Sequence, residues 1–133
     1  VKNFITQNKL ISRLIILEDI NFDKIFSIYN GLDIFLFTSK FEGSPNVLNE
    51  AMSVSLPTVS SKIFATEEII ENGFNGYLCN LENENEFIDK LDLLLNDKGH
   101  YNFIKNNAKI YFNKQHSIDL AVKQINEKIL RIN

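Results

Sequence analysis

Two short apolar runs stand out along the chain, Leu14-Ile15-Ile16-Leu17 and Ile34-Phe35-Leu36-Phe37. Continuous runs of this length are what strands covered on both faces of a parallel sheet present, so each predicts a deeply buried strand. Pro57-Thr58-Val59-Ser60 and Tyr77-Leu78-Cys79 are weaker strand candidates, the second introduced by the turn pair Asn75-Gly76. Helical spacing fills the intervals. Asp23 to Tyr29 carries Ile25, Phe26, Ile28 and Tyr29, Asn46 to Val54 is amphipathic, and Glu67 to Glu71 is short, with Asn72-Gly73 as its stop. Strand and helix alternating over about residues 1–80 predict right-handed crossovers and a doubly wound α/β fold, with helices on both faces of a parallel sheet.

From Glu84 onward the pattern is helical alone. Phe87, Ile88, Leu91, Leu94 and Leu95 recur at helical spacing, and this helix is expected to stop before Lys98-Gly99. A second helix is expected from about Tyr101. A third opens at Ser117 as N-cap, with Asp119 in its first turn and Ile118, Leu120, Ala121, Val122, Ile125, Ile129 and Leu130 as its apolar stripe. Neither an internal repeat nor a linker interrupts residues 1–133. The chain opens at Val1 without an initiator methionine, in what reads as the middle of a helix-to-strand passage, which suggests one partial domain from a longer protein.

Composition narrows the partners. The 133 residues are 44% hydrophobic and 23% charged, with no run long enough to span a bilayer. A chain of this length buries roughly two-thirds of the surface its unfolded form exposes. A formal charge of −3 gives no basic footprint, which disfavours nucleic acid and favours a small ligand. The lone Cys79 and the lack of a signal-peptide pattern suit a reducing cytoplasm. His100 and His116 share no metal-binding spacing with acids or with Cys79, so no metal is expected. Cys79, Met52, Phe64, Phe74 and Tyr77 read as packing residues, with Phe64 also placed to line a cleft.

Phe41 to Met52 reads FEGSPNVLNEAM. Ser44 suits an N-cap and Pro45 the first helical position, where its missing N–H would have had no partner. This helix follows the Ile34–Phe37 strand, at the end of the sheet where open α/β folds place ligands, and free N–H groups near Asn46 and Val47 favour an anion there. Glu42 lies on the loop at the mouth, and Glu50 lies about 7 Å along the helix from Pro45, its side chain leaning back toward the N-terminus. Asn46, Asn49, Glu50 and Ser53 form one polar stripe, with Val47, Leu48, Ala51 and Met52 on the core side. Ionised carboxylates only accept hydrogen bonds and a vicinal diol donates two, so a sugar matches the pair. The same spacing also fits a solvated helix face.

These residues resemble a known family. Asp33-Ile34-Phe35-Leu36-Phe37-Thr38-Ser39, the E-x7-E spacing of Glu42 and Glu50 followed by Ala51-Met52, then Leu56-Pro57-Thr58-Val59 and Glu68 to Leu78, run in the order found in the nucleotide-binding C-terminal domain of retaining GT-B glycosyltransferases. The resemblance implies a Rossmann-like GT-B domain, truncated at its N-terminus, and transfer of a glycosyl group from a nucleotide-diphosphate sugar, a UDP-sugar first, to a hydroxyl on a glycan, lipid or protein. It implies that Glu42 contacts the transferred sugar, that backbone N–H groups from Ser44 to Val47, including Asn46, contact sugar or diphosphate, and that Glu50 binds the ribose diol. It implies no further cofactor and a cytoplasmic protein, peripheral at the inner membrane through an N-terminal domain that carries the acceptor site. This chain alone is then expected to be inactive.

The departures open alternatives. Ile63-Phe64-Ala65-Thr66-Glu67-Glu68 replaces the usual Gly-Gly before Pro-Glu, Glu18 replaces a common glycine and with Asp19 sits near the expected base pocket, and the cationic pair that neutralises the diphosphate lies upstream, with Lys40 and Lys62 poor substitutes. The resemblance also implies that this chain lacks the domain's first two strands, which in such sheets lie between the Leu14–Leu17 and Ile34–Phe37 strands, so that either upstream residues belong to the native protein or the sheet has re-paired. A GT-B nucleotide-sugar epimerase, and a binding module whose pocket Phe64 and Glu18 have closed, stay open beside the transferase.

Overall fold

The computed structural model describes residues 11–116. After a 3-10 turn at Ile11–Arg13 come α1 (Phe22–Asn30), β1 (Phe35–Phe37), α2 (Asn46–Ser53), β2 (Thr58–Ser61), α3 (Phe64–Glu67), β3 (Tyr77–Cys79), α4 (Glu84–Asn96) and α5 (Lys98–Gln115). The strands form a parallel sheet in the order β1-β2-β3, with Leu36 beside Val59 and Val59 beside Tyr77. The alternating strand and helix pattern thus yields the expected Rossmann-like layers. The helix predicted from Ser117 lies outside the described residues.

The pleat divides the core in two. Val59, Tyr77 and Cys79 pack on one face with Phe87 and Leu94 of α4 and Ile104 of α5. Phe35, Phe37 and Leu78 line the other face, against Leu48 and Met52 of α2 and Ala108 of α5. A third cluster joins Tyr29 of α1 to Ala51 and Leu56. Phe35 and Phe37 share a face because they alternate with Leu36 along β1. The burial of Cys79 pushes its thiol pKa up, which keeps it protonated and inert.

Several expectations need correction. Leu14–Leu17 forms no strand and is exposed, with Ile15 at 87%. A parallel strand is buried only between paired neighbours under helices, and among the described residues this stretch pairs with none. Within Ile34–Phe37 the burial is partial, and Leu36 is half exposed because β1 has a neighbour on one side alone among the described residues. The predicted Glu67–Glu71 helix lies earlier, at Phe64–Glu67. Its continuation is intercepted by the buried Asn75 side chain, which accepts from the Glu71 N–H at 2.8 Å and donates to the Ile69 carbonyl at 3.1 Å. Helix α5 starts at Lys98 and not near Tyr101, because the Asp97 carboxylate accepts the His100 N–H at 2.8 Å and caps the helix.

The end of α2 sets the entry to β2. Leu56 N–H reaches the Ala51 carbonyl and Ser55 N–H that of Met52, a Schellman closure in which Ser55 takes φ +61°. A serine there carries the steric cost that glycine avoids. Ser55→Gly is expected to raise stability by about 0.5 to 1 kcal/mol in chemical denaturation. A loss would show that the serine side chain contributes more than the strain it bears.

Candidate functional site at the carboxyl edge of the sheet

The loops that leave the carboxyl ends of β1 and β2 are joined by hydroxyl groups. Ser61 Oγ donates to the Ser39 carbonyl at 2.6 Å, and Thr66 Oγ1 donates to the Ser61 carbonyl at 2.7 Å. Thr66 Oγ1 also accepts the Ile63 N–H at 3.1 Å. Ser60, Ser61 and Thr66 are fully buried, so these bonds work where water does not compete. At the outer end, Ser39 Oγ donates to Glu42 Oε1 at 2.9 Å and fixes that exposed carboxylate.

Helix α2 opens differently from the expectation. The N-cap is Pro45, at φ −79°, and the Ser44 side chain makes no capping bond. Ser44 is instead exposed, and its carbonyl accepts the Asn46 N–H at 3.0 Å. The buried Pro45 ring takes the inward position and leaves Ser44 outside the helix. Leu48 N–H bonds to the Pro45 carbonyl at 3.0 Å, while the Val47 N–H has no acceptor among the described residues. The stripe is as expected: Asn46 is exposed, Asn49, Glu50 and Ser53 are half-buried, and Leu48, Ala51 and Met52 are sealed in the core.

Glu50 is not merely solvated. Tyr29, buried at the end of α1, donates its hydroxyl to Glu50 Oε2 at 3.2 Å, a partner that sequence reasoning missed. Burial first, and the Glu50 charge and hydrogen bond after it, push the Tyr29 pKa up to about 12. The phenol therefore stays a donor at neutral pH, and Oε1 of Glu50 is left for another donor. The sequence signal was slight: a tyrosine closing an amphipathic helix whose phenol had no evident destination. Glu42 and Glu50 thus lie on one loop-and-helix segment but are held separately, one by Ser39 and the other by Tyr29.

A cavity of about 500 Å³ is lined by Leu17, Glu18, Asp19, Asn21, Lys24 and Ile28 among others, so Glu18 and Asp19 do border a concave site. Neither Glu42 nor Glu50 belongs to its wall. Phe64, read as a packing residue or as one lining a cleft, is 78% exposed and so does not pack in the core, and Phe41 is 89% exposed. Lys62 pairs with Glu67 at 3.5 Å on the surface, and Lys40 is exposed.

Residues 1–111 match the family model described as glycosyl transferases group 1. The chain belongs to this family. Among curated relatives, it is 33% identical over 96 residues to the UDP-Gal:alpha-D-GlcNAc-diphosphoundecaprenol alpha-1,3-galactosyltransferase of Escherichia coli, a match covering 72% of this chain and 24% of that protein. The C-terminal domain of the group 1 glycosyl transferase LpcC from Francisella tularensis superposes with TM-score 0.78 at 29% identity, over 88% of this chain and 60% of that one. Anabaena HepE, solved with UDP-glucose, superposes with TM-score 0.84 at 24% identity, over 98% of this chain and 35% of HepE, and shares the fold. The chain spans 24% to 37% of the length of the first curated relatives it matches.

The geometry of this group 1 domain yields two expected outcomes. Thr66→Val, which removes the 2.7 Å donor of the buried Ser61 carbonyl, leaving it Ser60 Oγ at 3.1 Å, and takes the acceptor from the Ile63 N–H, should cost about 1 to 3 kcal/mol in urea denaturation. A neutral result would mean that the hydroxyl relay adds no stability. Tyr29 has a folded pKa above its unfolded value, so its contribution is complete below about pH 10 and lost as pH rises toward about 12. The decline over that alkaline window should flatten in Tyr29→Phe, read from thermal unfolding at stepped pH.

Proposed function

We infer that the chain is the donor-binding part of a nucleotide-sugar-dependent glycosyltransferase, which moves a glycosyl group from a UDP-sugar to a hydroxyl acceptor with retention. The observation that carries this reading is Glu50, a half-buried carboxylate on the helix that follows β1, oriented by Tyr29 through one oxygen with the other left open. A ribose diol supplies the donors it lacks. Family membership supports the reaction class, and a UDP-sugar is supported by the E. coli relative's name and by the HepE complex. Glu42 then contacts the transferred sugar, and the N-terminus of α2, with Ser44, Asn46 and the Val47 N–H, faces sugar or diphosphate.

Transfer develops positive charge at the anomeric carbon and negative charge on the departing diphosphate. The positive end of α2 suits the second and the Glu42 carboxylate the first. Neither Phe64 nor Glu18 closes a pocket: Phe64 points into solvent and Glu18 is exposed in an open cavity wall, which weighs against a degenerate binding module.

The chain is, in this reading, one partial domain of a longer protein. Its support is the apolar surface around β1 that stays uncovered among the described residues: the strand edge without a neighbour there, the exposed Leu14–Leu17, and a groove of about 330 Å³ bordered by Leu36, Phe87, Ile88 and Leu91. Upstream strands cover that surface, upstream residues supply the diphosphate-neutralising cations, and an N-terminal domain supplies the larger part of the acceptor site. We place the protein in the cytoplasm, peripheral at the inner membrane through that domain. No helix among the described residues is long and apolar enough to cross a membrane.

Calorimetry on the complete protein tests the assignment. Glu50→Ala should weaken UDP binding about ten- to a hundredfold, the loss of a charge-assisted hydrogen bond or two. Glu42→Gln should leave UDP affinity unchanged while transfer slows. Equal UDP affinity in Glu50→Ala would remove Glu50 from the ribose site.

A further inference from the structure

The two most exposed aromatic rings at the carboxyl edge are not used by the donor reading. Phe41 follows β1 and Phe64 opens α3 after β2, exposed at 89% and 78%, and neither makes an aromatic contact among the described residues. Their loops meet at the Ser61 Oγ to Ser39 carbonyl bond of 2.6 Å. Phe41 lies two residues beyond Ser39 and Phe64 three beyond Ser61, so about 7 and 11 Å of extended chain are the most that separate them from that bond. Their backbones are pinned. The single Ser39 hydroxyl proton is shared between Glu42 Oε1 at 2.9 Å and the Phe41 carbonyl at 3.2 Å, and Thr66 holds Ile63, the residue before Phe64, by accepting its N–H at Oγ1 and donating its own backbone N–H to the Ile63 carbonyl at 3.0 Å. An apolar side chain on a fixed backbone that still projects into water is organised for a partner.

We propose that Phe41 and Phe64 form a saccharide subsite beside Glu42, and that the acceptor is accordingly a glycan whose sugar ring stacks on these phenylalanines. The inference rests on the glycosyltransferase reading and narrows its acceptor from glycan, lipid or protein to glycan. A pyranose has faces of C–H groups and a rim of hydroxyls. The electron-rich face of a phenylalanine ring attracts the C–H groups while covering apolar surface. The adjoining Glu42 carboxylate accepts from hydroxyls, and Lys40 and Lys62 donate to ring and hydroxyl oxygens. This mixture of aromatic surface with a few polar groups is that of a small-ligand site. The phenylalanines are also separated by exposed Lys40, Glu42, Gly43, Ser44 and Lys62, which breaks up the continuous apolar patch that a protein partner would need.

Saturation-transfer NMR with irradiation of aromatic protons tests this, using maltotriose, cellotriose and N,N'-diacetylchitobiose as probes and UDP in parallel samples. At least one saccharide should receive transfer at its C–H protons, falling about two- to tenfold in Phe64→Ala and in Phe41→Ala and kept in Phe64→Tyr. Because both rings are exposed, the thermal midpoints of the variants should match the parent. Silence from all three saccharides, or transfer unchanged in the alanine variants, overturns the subsite. So does cosedimentation with phosphatidylcholine and phosphatidylglycerol vesicles that is lost in those variants while the saccharides stay silent, which would make the rim a membrane contact. UDP binding separates the two readings: saccharide silence with UDP bound removes the subsite alone, and UDP silence with saccharide transfer intact removes the donor assignment alone.

Discussion

The carboxyl edge of this sheet depends on a line of hydroxyl groups. Thr66 holds the Ser61 carbonyl, Ser61 holds the Ser39 carbonyl, and Ser39 holds the Glu42 carboxylate. Each link connects a different stretch of chain, so two loops that share no ladder hydrogen bonds move as one piece. Buried hydroxyls are costly unless bonded, and those of Ser61 and Thr66 return to backbone carbonyls where the ladder ends. That is how a strand as polar as Thr58-Val59-Ser60-Ser61 occupies the centre of the sheet with all of its residues buried.

That strand also shows how the sequence could be read and where reading stopped. The alternation of elements and the apolar faces of α2 and α4 were legible, because period and burial agree there. So was the E-x7-E segment, whose order along the chain carries the resemblance. The Leu14–Leu17 run misled, because hydrophobicity reports what a segment would bury and not whether its neighbours are at hand. Helix α3 was misplaced by three residues because Asn75, a distant side chain, ended it. The start of α5 also lies earlier than expected, because Asp97 caps a turn in which Gly99 suggested a break.

In the candidate site, the segment from Glu42 to Glu50 was found by spacing, but its supports were not. Ser44 appeared to be the cap and is not, whereas Tyr29 and Ser39, which do fix the carboxylates, lie twenty-one and three residues away. A partner three residues off is within reach of local pattern reading. One that arrives on another helix is known only once α1 packs against α2 through Tyr29, Ala51 and Leu56.

Helix α5 serves both sides of the sheet. Ile104 belongs to the cluster under α4, and Ala108, one turn on, belongs to the cluster under α2, while Lys109 donates to the Ser53 carbonyl at the end of α2. Detaching this single rod would unroof both halves at once. The two layers are therefore coupled into one cooperative unit, and α2 does not melt independently of α4.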